Sequence, residues 1–135
     1  MIYLASPYSH ADPEIREARF EWVTSIAARF QFEGVLCYSP IVASHPLVAD
    51  LSVMATNAGT PMDPVGFQFW KANNEWHITR CNALVVVMME GWEDSKGIQA
   101  ELVFAAKQHK PIEYLDLQSS AVEARRLSTL IQKYK

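Results

Sequence analysis

The run "ALVVVMM", residues 83–89, is the most hydrophobic stretch of the chain. A short, uninterrupted apolar segment between turn-forming residues is typical of a strand that is buried on both faces. Shorter runs of the same kind lie at residues 2–5, 35–38 and 110–117, and helical patterns separate them. This alternation predicts an α/β fold: a doubly wound, flavodoxin- or Rossmann-like parallel sheet of four to five strands with helices on both faces.

Helix starts are marked by capping residues. The pairs Asp12-Pro13 and Asp63-Pro64 each combine an N-cap side chain with a proline suited to the first helical turn. We expect the first pair to open a helix that ends near Gly34 and the second pair to open one that runs through Arg80.

Two segments are less regular. Residues 41–64 lack a clear period, which predicts a long binding loop or lid with at most a weak helical turn over Val48 to Met54. A final, charged amphipathic helix is predicted to start at Ser119 or Ser120 and to reach the C-terminus.

Length and composition fit one domain over residues 1–135. The net charge is −3, and the chain has no basic run, which argues against a nucleic-acid-binding surface. Cys37 and Cys81 are interpreted as buried, reduced thiols. The chain starts directly on "MIYLASPY" and has no apolar run of membrane-spanning length, so we expect a cytoplasmic protein without a membrane partner.

Metal and common cofactor motifs are not found in the sequence. No histidine pair stands at i and i+4, although histidines are present at four positions: His10, His45, His77 and His109. GxGxxG, GxxxxGK[ST] and GxSxG are also absent. We therefore expect neither a metal nor an organic cofactor.

The loops after three of the strands read "SPYSHAD", "SPIVASHP" and "EGWEDSKG". Because ligands bind beyond the carboxyl ends of strands in open parallel sheets, these loops are expected to converge on one cleft. His10 and His45 lie on them and are candidates for ligand contact. Of the tryptophans near these segments, Trp70 and Trp76 are expected to pack in the core, whereas Trp92 sits in a polar loop where a nucleobase could stack.

Glu101 is the most unusual residue of the sequence. Its helical neighbours three and four positions away are uncharged: Gly97, Ile98, Phe104 and Ala105. A carboxylate in such surroundings is suited to act as a nucleophile or general base, unless it reaches solvent or a distant arginine. Ser95 is the predicted N-cap of the same helix, where free N–H groups form a natural anion site, although Ser95 and Gly97 also fit purely structural roles.

The motifs "IYLASPYS", "DSKGIQAE" and "AAKQHKPI" resemble those of the nucleoside 2-deoxyribosyltransferase superfamily, which includes 2′-deoxynucleoside 5′-phosphate N-hydrolases. The resemblance extends to about Leu115 and is closest to an uncharacterised bacterial and phage branch. It implies that Glu101 attacks the anomeric carbon of a 2-deoxyribosyl group, with Tyr3 near it. The resemblance and the positions of the loops together predict further residues that bind the substrate or its phosphate. These residues are Ser6, Pro7, Tyr8, Ser95, Gly97, His45, Trp92 and Asp94.

One position departs from the superfamily pattern. Where relatives carry an aspartate that contacts the leaving base, this chain carries Asn74, and Asn82 occupies a second such position. An amide can hydrogen-bond a base but cannot protonate it. Asn74 therefore stays a catalytic candidate only through hydrogen bonding, and Asp94, Glu75 and Asp50 are the alternative acids.

The resemblance implies a homo-oligomeric enzyme that cleaves or transfers at the N-glycosidic bond of a (2′-deoxy)nucleoside 5′-monophosphate or related nucleoside through a covalent glycosyl-glutamate intermediate. The alternative is a protein that binds a nucleotide or sugar phosphate in the same cleft without turnover. A third possibility is a protein that acts through a partner.

Overall fold

The computed structural model of the chain describes residues 1–116 and 120–135, and for residues 120–124 it describes the backbone alone. Its centre is a parallel sheet in the order β2-β1-β3-β4. The strands are β1 Ile2–Ala5, β2 Cys37–Tyr38, β3 Ala83–Met88 and β4 Ile112–Asp116. The predicted doubly wound α/β fold is confirmed, and β2 is two residues shorter than the sequence predicts.

Helices connect and cover the strands. They are α1 Pro13–Phe32, α2 Pro40–Ser44, α3 Val48–Ala58, α4 Phe67–Arg80, α5 Lys96–Lys107 and α6 Ser120–Tyr134, with short 3₁₀ turns at His45–Leu47 and Trp92–Asp94. Ser119, the other predicted start of the last helix, lies outside the described residues. In the part of the chain that the structure describes, no helix is long and apolar enough to cross a membrane.

The side-chain alternation of β1 divides the core between the two faces of the sheet. Ile2 and Leu4 point to the face covered by α1 and α6, where they pack with Phe30 and Ile131. The intervening side chain, Tyr3, points to the opposite face, which α4 and α5 cover. This register directs Tyr3 toward the helix that carries Glu101.

The two Asp-Pro pairs behave differently. Asp12 caps α1 as predicted, and its carboxylate accepts a hydrogen bond from the Glu14 N–H at 2.9 Å. The prediction for Asp63-Pro64 is wrong, because α4 begins only after Gly66. Asp63 instead accepts from the Val65 N–H at 3.1 Å, and its carboxylate closes a turn before the helix.

The irregular loop predicted over residues 41–64 is also wrong. This segment forms α2, a 3₁₀ turn and α3 almost without interruption. Ser39 and Pro40 give α2 a start signal, but neither the 3₁₀ turn nor α3 has a capping side chain at its start, and residues 59–64 stay irregular as predicted. The end signal is present, since α3 stops at Gly59 in the left-handed conformation with φ of 64°.

Candidate active site

A cleft of about 480 Å³ lies beyond the carboxyl ends of β1, β2 and β3. The chain adds β2 on one side of β1 and β3 on the other side. The cleft therefore lies at the topological switch point of the sheet, where ligands bind in such folds. The loops after all three strands contribute to it, as expected. Its walls include Ser6, Tyr8, Ser9, His10, Arg19, Pro40, Ser44, Gly66, Phe67, Trp70, Asn74, Asp94, Ser95, Lys96, Gly97 and Glu101.

Glu101 is a buried carboxylate on the wall of this cleft, with 9% of its surface exposed. The Tyr3 hydroxyl donates a hydrogen bond to its Oε2. No cationic side chain of the described residues forms an ion pair with it. Burial raises the pKa of Glu101 to about 8, and the hydrogen bond from Tyr3 partly opposes that rise.

Tyr3 contacts Glu101 from behind the cleft and does not line it. It is fully buried in β1, and burial, followed by the charge of Glu101, raises its pKa well above the ordinary value. Tyr3 therefore stays a hydrogen-bond donor at any ordinary pH. Its position suits orientation of the carboxylate, as the resemblance implies.

The first turn of α5 lies against Glu101. Ser95 caps this helix as predicted, and its Oγ accepts from the Ile98 N–H at 3.2 Å. A Cβ at Gly97 would lie 3.8 Å from Ser95 Oγ and 3.9 Å from Glu101 Oε1. The glycine therefore keeps open the space between the cap and the carboxylate.

Two cations in the cleft wall were not identified from the sequence. Lys96 stands in the first turn of α5, and Arg19 reaches the cleft from α1. The Arg19 guanidinium donates to the carbonyls of Tyr8 at 3.3 Å, Ser9 at 3.2 Å and Glu90 at 3.3 Å, so it joins the loops after β1 and β3. These contacts are long-range, and the sequence carries no signal for them.

Arg19 donates to three carbonyls and forms no ion pair among the described residues. Burial lowers its pKa and the charge of Glu90 opposes this, and a guanidinium remains protonated under all ordinary conditions. Arg19, Lys96 and the N-terminal end of α5 contribute positive potential to a cleft wall that also contains the carboxylate of Asp94.

Tyr8 lines the cleft, and His45 supports it from outside. The Tyr8 hydroxyl and His45 Nδ1 are 2.6 Å apart. His45 Nε2 pairs with Glu17, and its ring stacks on Phe20 with centroids 4.3 Å apart. Both ring nitrogens of His45 are engaged by protein groups, so in the free cleft His45 fixes Tyr8, and its contact with a ligand stays a prediction.

Trp92 is not part of the cleft wall but lines a neighbouring cavity that shares His10, Arg19 and Asp94 with the cleft, so its contact with a ligand stays a prediction. It lies in the 3₁₀ turn Trp92–Asp94 and packs against the core beneath α5, with its ring 6.0 Å from that of Tyr114. The same turn brings Asp94 to the cleft. Pro7 is buried beside the cleft and is not part of its wall.

The aromatic wall is formed instead by Trp70 and Phe67 of α4. Trp70 was expected in the core, but it faces the cleft and its Nε1 donates to the Pro64 carbonyl at 2.7 Å. Trp76 was also expected in the core. It is 54% exposed, and the Arg80 guanidinium lies over its ring at 3.8 Å.

Ser6 and Asn74 line the cleft with polar atoms that have no partner in the protein. Among the described residues, Ser6 Oγ and Asn74 Oδ1 are the buried side-chain atoms without a hydrogen bond. Such atoms are rare because each costs about 1–3 kcal/mol when unpaired. Both atoms therefore remain available for a hydrogen bond with water or a ligand in the cleft.

Of the other candidate acids, Glu75 borders a small recess beside Glu101, and Asp50 lies away from the site. Glu75 forms an ion pair with Lys71 at 2.8 Å, and Asp50 is exposed on α3. Asn82 is exposed and accepts a hydrogen bond from the N-terminal amine. Asp94 is therefore the one of the three alternative acids that the structure places on the wall of the cleft. In the described part of the chain no three His, Cys, Asp or Glu side chains are grouped so as to hold a metal ion.

The model of one protein family matches residues 1–116. The chain belongs to the family described as a domain of unknown function (DUF1937). The match contains the whole sheet and every residue named in the cleft wall, whereas α6 lies beyond it. No curated protein matches the chain.

Proposed function

We propose that this protein cleaves or transfers at the N-glycosidic bond of a nucleoside 5′-monophosphate or related nucleoside, with Glu101 as the nucleophile. The observation that carries the proposal is the state of Glu101. It is a buried carboxylate with no cationic partner among the described residues, it is oriented by Tyr3, and it borders a cleft large enough for a nucleotide.

The same burial that raises the pKa of Glu101 to about 8 favours this chemistry. Glycosidic bonds break through a transition state with oxocarbenium-like positive charge on the sugar. A carboxylate that is poorly solvated gains more from that charge than one surrounded by water, because the local dielectric constant is low. Ionisation costs energy in the free cleft, and the cationic transition state offsets this cost.

In the first step an oxygen of ionised Glu101 bonds to the anomeric carbon while the bond from that carbon to the base nitrogen breaks. The electron pair leaves with the base, which takes up a proton. Asn74 cannot supply this proton, and Asp94 is the carboxyl group assigned to do so. Water then hydrolyses the glycosyl ester, or the nitrogen of a second base displaces Glu101, and the carboxylate is regenerated.

The part of the cleft wall formed by Lys96, Arg19 and the first turn of α5 is suited to the 5′-phosphate. Lys96 and Arg19 supply positive charge, and the first turn of α5 supplies N–H groups. Trp70 and Phe67 supply the flat apolar surface on which a nucleobase stacks. The cleft wall thus has one part suited to the phosphate and another suited to the base, and Glu101 borders the same cleft.

The test is release of free base, measured by chromatography, from a panel of ribo- and deoxyribonucleoside 5′-monophosphates and the corresponding nucleosides. The wild type is expected to release base from at least one monophosphate, and Glu101→Gln to release none. Lys96→Gln should raise KM for the monophosphate but not for the nucleoside. Lys107→Gln, at the opposite end of α5, is the matched control. Equal release by wild type and Glu101→Gln would exclude Glu101 as the nucleophile.

A second function, binding of a nucleotide or sugar phosphate without turnover, is favoured by one observation. Asn74 and Asn82 place amides at two positions where the resembling enzymes carry aspartates, so two acidic groups are replaced. Calorimetry followed by chromatography of the recovered ligand separates the two functions. Tight binding with the ligand unaltered after prolonged incubation would support the binding protein.

A further inference from the structure

A small recess opens beside Glu101, between α4 and α5. Its volume is about 20 Å³, and Asn74, Glu101, Gly97 and Phe67 belong to both the recess and the main cleft. A cavity of this size holds one water molecule or one hydroxyl group, but neither a nucleobase nor a phosphate. A ligand in the main cleft can therefore insert only a single small polar group here.

Asn74, which borders the recess together with the ion pair of Lys71 and Glu75, carries one of the two unpartnered polar atoms of the cleft. Asn74 is 9% exposed, and its Oδ1 has no hydrogen-bond partner within the protein. A carbonyl oxygen only accepts hydrogen bonds, so the group that enters must be a donor. A hydroxyl satisfies both the size of the recess and the polarity of Asn74.

The stereochemistry of displacement identifies which ligand group this is. A nucleophile attacks the anomeric carbon from the face opposite the departing base. In a β-nucleoside the 2′-hydroxyl of ribose projects to that same opposite face and is attached to the neighbouring carbon. A group that lies beside the attacking carboxylate therefore meets the 2′-hydroxyl and not the base. Asn74 and Glu101 both border the recess, so a hydroxyl in the recess lies beside both side chains.

We propose that the recess is a 2′-hydroxyl pocket and that the substrate is a ribonucleotide, with Asn74 Oδ1 accepting the hydrogen bond from the ribose 2′-hydroxyl. This inference rests on the proposed function for the position of the sugar. Hydrogen bonds to the hydroxyl next to the anomeric carbon strengthen in the transition state of glycoside cleavage. Asn74 is accordingly a specificity-determining residue that acts on turnover as well as on binding.

The test compares base release from matched ribo- and 2′-deoxyribonucleoside 5′-monophosphates. The wild type is expected to prefer the ribonucleotide in kcat/KM by roughly tenfold or more, because a site built around a hydroxyl rejects the analogue that lacks it. Asn74→Leu is close in size and removes the acceptor, so it should reduce this preference to near unity, chiefly by lowering activity on the ribonucleotide. Asn57→Ala, an exposed asparagine of α3, is the control.

A preference of the wild type for the deoxyribonucleotide, or no preference, would overturn the assignment while base release itself upholds the proposed function. This comparison needs no variant and holds even if Asn74→Leu fails to fold. Loss of all base release would instead count against the proposed function. Calorimetry with ribose 5-phosphate and 2-deoxyribose 5-phosphate then decides the pocket separately: stronger binding of the ribose compound by the wild type supports it, and equal binding excludes it.

Discussion

Replacing Glu101 by glutamine should make the protein more stable, by an amount that depends on pH. The carboxyl group has an ordinary pKa of 4.5, and burial raises its pKa in the folded protein to about 8. Between these values the folded state keeps the proton and the unfolded state releases it. The contribution of Glu101 to the free energy of unfolding is therefore fully favourable below pH 4.5. This contribution decreases progressively as the pH rises toward about 8.

The magnitude follows from the interval between the two values. At about 1.4 kcal/mol per pH unit, the interval from 4.5 to about 8 corresponds to about 5 kcal/mol at pH 8 and above. Glu101→Gln cannot ionise, and its side-chain oxygen still accepts the hydrogen bond from Tyr3. The free energy of unfolding of Glu101→Gln minus that of the wild type should therefore grow by about 1.4 kcal/mol per pH unit across this window.

Urea unfolding of both proteins at pH 5, 6, 7 and 8 measures this difference directly. Other titrating groups contribute equally to both proteins and cancel. Glu21→Gln, an exposed glutamate of α1, serves as the control and should change stability little at any of these pH values. Parallel stability curves for wild type and Glu101→Gln would refute the reasoning, because they would mean that Glu101 ionises as easily in the folded chain as in the unfolded one.

Two further predictions concern the same cleft. Because the nucleophile must be ionised, kcat/KM for base release by Asp94→Asn, which no longer depends on a protonated Asp94, should rise about tenfold per pH unit below pH 8 and level off above it. Tyr3→Phe removes a hydrogen bond that lowers the pKa of Glu101, so the midpoint of the rise in kcat/KM should move to higher pH. An unchanged midpoint would contradict the role of Tyr3. Gly97→Ala places a methyl group 3.4 Å from Phe67 Cβ and between Ser95 and Glu101, so it should preserve or slightly raise thermal stability while it lowers activity on the monophosphate at least tenfold. Full activity of this variant would show that no ligand occupies that space.

Local signals in the sequence predict the elements that local interactions create. The caps Asp12 and Ser95 act within three residues, and both are found as predicted. Asp63 shows where this reasoning fails, because a carboxylate that accepts from the N–H two residues later closes a turn as readily as it starts a helix. The start signal of α2, Ser39 followed by Pro40, was read as the end of a strand, whereas α3 was mispredicted because a helix without a capping side chain gives no start signal.

In the cleft, too, residues placed by local interactions were predictable and residues placed by long-range contacts were not. Glu101 and the first turn of α5 were predictable because one helix contains both. Arg19 was not, because it meets the cleft through carbonyls of two loops that only the fold brings together. The packing of Trp92 against the core was likewise not predictable, because a polar loop does not reveal which side of a 3₁₀ turn will face the core.

The energetics of Glu101 connect stability with function. A buried carboxyl group with a pKa of about 8 costs the folded chain stability throughout the neutral range, and one substitution to glutamine would remove that cost without changing the shape of the side chain. The surrounding structure holds the carboxyl group in place through the β1 register that aims Tyr3 at it and through the glycine that clears its approach. Ser6 and Asn74 add unpaired polar atoms to the same cleft, which is a further cost. A cleft that concentrates several destabilising groups is not arranged for stability, and this supports the proposal that it binds a ligand and acts on it.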